Sequence, residues 1–124
     1  SRGLGDVYKR QLRQQDRRAD AVKLYRELAA DVRSKEGSAA AYYVLEDTFE
    51  KGDMDKTEKA IFAYSEREPQ AYWLAKAFIL LGDVYVRKGD NFQARATYQS
   101  VADGYSPADD GIVDEAKERI AKLN

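Results

Sequence analysis

The sequence predicts an all-α protein, an α-solenoid of antiparallel helix-turn-helix hairpins repeated along the chain. Three observations lead there. The 124 residues include only two Pro and eight Gly and are 44% hydrophobic and 35% charged, a composition that favours helix and contains enough apolar material for a core. Small and apolar residues recur in steps of four then three at Ala21-Tyr25-Leu28, Thr57-Ile61-Tyr64 and Ala94-Tyr98-Val101, the spacing of one helix face. Those copies lie 36 and 37 residues apart, and a second set, Ala41-Val44-Leu45-Thr48, returns 37 residues later as Phe78-Leu81-Gly82-Tyr85. Self-similarity at a fixed period marks a repeat architecture.

The elements follow in order. Asp6-Val7-Tyr8-Lys9-Arg10-Gln11 spells one frame of a transposase sequencing adapter, GATGTGTATAAGAGACAG. Residues 1–11 are therefore expected to be a non-native, adapter-derived segment whose natural upstream part is missing, and they stand outside the fold reading. Residues 12–124 form the repeat domain. A partial repeat (12–37) is expected to hold the tail of a helix over Leu12–Gln14 and a helix from Arg17 to Lys35. The next repeat (38–69) pairs helices Ser38–Lys51 and Asp53–Arg67, and the third (70–107) pairs Gln70–Lys88 with Phe92–Gly104. A capping helix over Asp109–Leu123 occupies 108–124. Ile112, Ala116, Ile120 and Leu123 give it one apolar stripe, and Lys117, Glu118, Arg119 and Lys122 face water, the pattern of an element that closes a solenoid.

Turn chemistry supports these boundaries. Gly52-Asp53 and Gly89-Asp90 share one register; the Gly can take φ > 0 to close a helix and the Asp can cap the next. Pro69 breaks the chain between repeats. Gly82 falls inside a helical pattern, where Gly costs about 1 kcal/mol relative to Ala. It is expected to mark a close approach of paired helices, with Ala94 opposite.

Several function classes are excluded by residue type. With no Cys and no His, most zinc and haem sites, Ser-His and Cys-His nucleophiles and disulfides are ruled out. Lys+Arg number 21 against 22 for Asp+Glu, so no net charge draws the chain to nucleic acid or an anionic membrane. The longest apolar stretch, Ala71 to Leu81, contains Lys76 and stops at Gly82, too short to span a bilayer; no membrane insertion is expected. Ser1 to Gln11 shows no apolar run of a signal peptide, and the compartment stays open between bacterial cytoplasm and periplasm.

Phe78-Ile79-Leu80-Leu81-Gly82-Asp83-Val84-Tyr85, followed by Gly89-Asp90, Ala94 and Tyr98, resembles the tetratricopeptide repeat, with Phe for the opening Trp of Trp-x-x-Leu-Gly-x-x-Tyr. The preceding copy is weaker, with Thr57 where Ala is usual, but Ile61 and Pro69 are in register. The run from Ala71 to Phe78 also looks like the closing repeats of long bacterial proteins of this type. The resemblance implies a right-handed solenoid stacked on missing upstream repeats. It implies a non-catalytic scaffold that binds a protein or peptide partner of unknown identity in the concave groove formed by the first helix of each unit. Carried over by register, the groove positions are Ala39, Tyr42, Glu46, Phe49 and Glu50 from one unit and Lys76, Ile79, Asp83, Val86 and Arg87 from the next. Tyr42, Phe49 and Ile79 would hold an apolar side chain. Glu46 and Asp83 stand where a carboxylate-reading clamp needs neutral donors, which disfavours that use. The alternative is a structural C-terminal end-cap of a larger multidomain or cell-envelope assembly protein whose activity lies upstream.

Other candidates have plainer explanations. Trp73 begins a four-step series with Ala77, Leu81 and Tyr85 and is expected in the core. Asp109-Asp110-Gly111 with Asp114-Glu115 lacks the spacing of a calcium loop and reads as charge at a helix start. Lys51-Gly52-Asp53 and Lys88-Gly89-Asp90 lack the context of a phosphate loop. Arg17-Arg18 is expected on a solvated loop. Nothing sets Glu46 and Asp83 up as an acid–base pair. No catalytic residue, metal or cofactor is expected.

Overall fold

The structure, a computed structural model, describes residues 2–123. They form six α-helices: α1 (Arg2–Leu28), α2 (Lys35–Glu50), α3 (Met54–Glu66), α4 (Ala71–Arg87), α5 (Asn91–Gly104) and α6 (Ile112–Ala121). Among the described residues there is no strand, and the chain is all-α. Among the described residues no helix is long and apolar enough to cross a membrane.

The turns form as their residues dictate. Gly52 and Gly89 take φ of 88° and 78°, open to Gly without strain. The carboxylates of Asp53 and Asp90 then accept from the Lys56 and Gln93 amides at 3.0 Å, satisfying N–H groups that the helix leaves free. α2 starts three residues earlier than its periodicity predicts. Ser34 is the cap, its Oγ accepting from the Gly37 amide at 2.9 Å. α1 in turn ends at Leu28 rather than Lys35, because the chain needs residues 29–34 to reverse direction. α6 begins at Ile112, later than expected: Asp110 accepts from the Ile112 amide at 3.2 Å, an Asx turn that holds the acidic residues ahead of the helix.

Each helix packs on its successor, and α2 also packs on α4 and α4 on α6. The shared seam holds the predicted inward residues. Thr57, Ile61 and Tyr64 of α3, Ala94, Tyr98 and Val101 of α5, and Leu45, Leu81 and Tyr85 of α2 and α4 are buried. Ile112 and Ala116 of α6 join them. Ser38, expected to begin α2, is completely buried and joins three segments. Its hydroxyl donates to the Val32 carbonyl and accepts from the Gln70 amide, and its carbonyl accepts from the Tyr64 hydroxyl. Burial pushes the Tyr64 phenol up to about 12, which keeps it a donor.

The first copy departs from the pattern. Leu28 is 49% exposed and Val22 is buried in its place. α1 packs on α2 alone, and its residues from Gly5 to Asp20 are all exposed. The helix runs unbroken through residues 2–11, across the boundary assigned at residue 12. Arg18 sits in this helix, not on a loop.

Candidate functional site

The α2 and α4 faces meet along a row of side chains continued by α6. On α2, Tyr42 and Phe49 lie two turns apart; on α4, Ile79 sits between Lys76 and Asp83. The structure buries three of the expected groove residues, leaving Tyr42 7%, Phe49 9% and Ile79 2% exposed. The expectation that they offer an open apolar floor is corrected: they are core, because α2 and α4 pack directly on each other. Phe49 is closed over by Arg87, whose guanidinium carbon lies 4.8 Å from the ring centroid, a cation–π placement.

The charged groove residues split into two groups. Lys76 and Asp83 turn to α6. Lys76 Nζ lies 3.4 Å from Glu115 Oε2, and Asp83 accepts from Arg119 Nε at 3.1 Å and from Nη2 at 3.4 Å. Asp83 also accepts from the Tyr98 hydroxyl of α5; burial and then that carboxylate raise the Tyr98 phenol far above its ordinary value. Val86 (39% exposed) and Arg87 stay accessible. They border a cavity of about 300 Å³ with Phe49, Asp83, Arg119 and Lys122. Glu46 and Glu50 instead face α1, where they line a cleft of about 410 Å³ with Arg18, Tyr25 and Tyr43. The Tyr42 hydroxyl donates to Glu46 Oε2 at 3.3 Å. Burial, then the Glu46 charge, with smaller contributions from Glu115 and Asp83, raise the Tyr42 phenol strongly.

Two features escaped the sequence. Trp73 is half-buried rather than core. Its ring lies 5.6 Å from Tyr42 and Tyr43 and 5.0 Å from Tyr72, and Tyr43 lies 5.2 Å from Tyr25. Tyr25 and Tyr42 stand in repeat register but Tyr43, Tyr72 and Trp73 do not share it, so the pattern that locates the core could not group the five. The second is Asp47, 4% exposed, which accepts from Arg18 Nε at 2.9 Å with Lys51 Nζ at 2.9 Å from its other oxygen. Burial alone would raise its pKa, but the two cations outweigh that and hold it below the usual carboxylate range. Only the i,i+4 spacing to Lys51 was visible in the sequence.

A separate set ties α3 to α4. Glu58 accepts from the Tyr85 hydroxyl at 2.7 Å and from Lys88 Nζ at 3.0 Å, and both bonds hold it below its ordinary value. Among the described residues no group of three or more acidic side chains is placed to hold a metal ion. Compared with known proteins, the chain matches no family model, no curated sequence and no solved structure at a significant level.

Proposed function

We propose that this chain is a non-catalytic protein–protein interaction scaffold of the tetratricopeptide type, a right-handed solenoid whose first helices, α2, α4 and α6, present one face to a peptide or protein partner. The observation that carries the reading is the next-but-one packing of α2 on α4 and α4 on α6. It aligns alternate helices side by side, as stacked hairpins require, and puts Glu46, Val86 and Arg87 on a surface that solvent reaches. Residue types support it too: with no Cys or His, the polar groups on this face are ion-paired or act as orienting charges.

Tyr42 and Ile79 cannot test the reading, because their burial makes any loss of binding a loss of fold. Exposed Val86 and Arg87 can. A peptide-display selection against the 124-residue chain should yield ligands that Val86→Asp and Arg87→Glu weaken at least tenfold and that Phe92→Ser, at an 84%-exposed position on α5, leaves unchanged. Ligands that bind all three variants equally would refute the groove.

A second reading, a structural end-cap for a larger assembly, is favoured by α6. Its Glu115 and Arg119 occupy the charges of Lys76 and Asp83, so this end of the face is closed by the chain itself. In that case selection against the isolated chain returns no ligand that depends on Val86 or Arg87.

A further inference from the structure

The cleft between α1 and α2 carries a chemistry that hairpin stacking alone does not require. Tyr25 and Tyr43 form its aromatic wall and Glu46 and Glu50 its acidic one, with Arg18 and Asp47 below. Arg18 is engaged by Asp47, and Lys51 lies against the same carboxylate. Among the described residues no Lys or Arg nitrogen comes within 4 Å of Glu46 or Glu50. Arg18 and Lys51 share the single carboxylate of Asp47, so these two cations and the three carboxylates Glu46, Asp47 and Glu50 leave one net negative charge at the cleft, and neither Glu46 nor Glu50 has an ion-pair partner of its own.

The aromatic wall continues beyond the cleft. Ring centroids step from Tyr25 to Tyr43 (5.2 Å), Tyr43 to Trp73 (5.6 Å) and Trp73 to Tyr72 (5.0 Å). Tyr43 and Tyr72 are 38% and 36% exposed. A row of three such steps reaches at most about 16 Å, the length of about five extended residues, which suits a peptide segment better than a small amine. Electron-rich ring faces attract cations, and adjacent uncompensated carboxylates strengthen that attraction and repel anions.

We propose that this cleft and its aromatic row bind a lysine- or arginine-bearing peptide segment, one cationic side chain lying over Tyr25 and Tyr43 with its charge on Glu46 and Glu50. The inference rests on the reading of the chain as an interaction module and assigns the partner its chemistry; it also moves the recognition site from α4 toward α1 and α2.

Trp73 is the single Trp and lies within this row, so its emission reports occupancy directly. Blocked decapeptides of alternating Lys-Gly and of alternating Glu-Gly are titrated onto the 124-residue chain at low salt. The Lys peptide should change Trp73 emission saturably and the Glu peptide should not. The double variant Glu46→Gln/Glu50→Gln, whose amides keep the acceptor for Tyr42, should weaken the Lys peptide at least fivefold, and Tyr43→Ser should weaken it similarly. Added salt should weaken the parent more than the double variant. Circular dichroism melts of each variant must overlay the parent, and Glu50→Gln alone, at an exposed position, serves if the double variant does not fold. Equal binding of both peptides, no binding of either, or undiminished Lys-peptide binding by the carboxylate variants overturns the proposal. Binding lost in Val86→Asp and Arg87→Glu but kept in the carboxylate variants also overturns it, while leaving the α4 groove standing. Self-association in sedimentation that Tyr43→Ser abolishes overturns it too, by identifying the occupant as a second copy.

Discussion

Gly82→Ala should destabilise this protein, against the usual direction of Gly-to-Ala changes inside helices. Helix propensity alone favours Ala by about 1 kcal/mol. At Gly82, however, a Cβ would stand 2.2 Å from Tyr98 Cε1, 2.5 Å from Cδ1 and 2.7 Å from Cζ. Ordinary carbon contacts lie near 3.5–4.0 Å, so the ring has to retreat by more than about 1 Å. Tyr98 is 1% exposed, and its hydroxyl is bonded to Asp83, which also holds Arg119. Overpacking of this kind costs about 1–3 kcal/mol, and pulling the hydroxyl from a carboxylate adds about 1.5–3 kcal/mol. Net of the propensity gain, we expect a loss of about 1.5–5 kcal/mol, read as a lower urea midpoint at constant slope. A double-mutant cycle isolates the contact. Tyr98→Ala alone should cost about 3–5 kcal/mol, and Gly82→Ala added to it should be neutral or stabilising by up to about 1 kcal/mol, because only propensity remains. A Gly82→Ala protein as stable as the parent, or additive effects in the double variant, would refute the reasoning. The sequence placed Ala94 opposite Gly82; the group that fills the gap is the aromatic one turn further along α5.

Three further outcomes are expected. Gly37→Ala should be worse than Gly82→Ala: its Cβ would lie 1.6 Å from the Asp31 carbonyl oxygen, a backbone atom that no rotamer change can move, and a urea midpoint at or above that of Gly82→Ala would count against this. Leu81→Ala, at a 3%-exposed position, should cost about 2–5 kcal/mol and Lys117→Ala, on the outer face of α6, less than about 0.5 kcal/mol; equal effects in thermal melts would mean the faces are misassigned. Asp47 has a depressed pKa when folded, so its contribution is complete above the unfolded carboxyl value of about 3.9 and is lost as pH falls through the lower folded value. Asp47→Asn should therefore cost about 1 kcal/mol at pH 7, its cations being partly hydrated, and the gap to the parent should close below about pH 4; a gap constant from pH 7 to pH 2.5 would show that the ion pair contributes nothing.

Core and turns were legible because each rests on one local rule. Thr57-Ile61-Tyr64 and Ala94-Tyr98-Val101 are buried as their 4-3 spacing requires, and Gly52-Asp53 and Gly89-Asp90 close and open helices through backbone chemistry that needs no partner. Leu28 fails for a tertiary reason. It has the correct spacing, but burial requires a neighbouring helix on that side, and α1 packs only on α2. Tyr42, Phe49 and Ile79 fail in the opposite sense. Repeat register places them on the right faces, but side-chain size decides whether such a face stays open, and bulky residues on α2 and α4 fill it. The Tyr25–Tyr43 and Tyr43–Trp73 steps of the aromatic row and the Arg18–Asp47 pair join residues 18 or more positions apart that do not share the repeat period, so no rule based on spacing can find them.

The α4 face is held rigidly from both sides. Tyr98 belongs to the core, yet it passes Gly82 to bond Asp83, and Asp83 is held from the other side by Arg119 of α6. A groove side chain is thus fixed from behind by the core and from the front by the last helix. Lys76 is held similarly, with Glu115 3.4 Å away and the Tyr42 ring centroid 5.8 Å beneath its charge. Moving either side chain toward a ligand means breaking contacts that also hold α6 on α4. Under the proposed function, a partner at the α4 end would meet this surface as it stands. Glu50, exposed and in no ion pair among the described residues, has no such lock and adapts by side-chain rotation, whereas Glu46 is held only by the hydroxyl of Tyr42. A partner that engages both ends should depend on the packing of Tyr98 against Gly82 and on side-chain charge at Glu50, and the two dependences separate cleanly: the first changes with Tyr98, the second with salt.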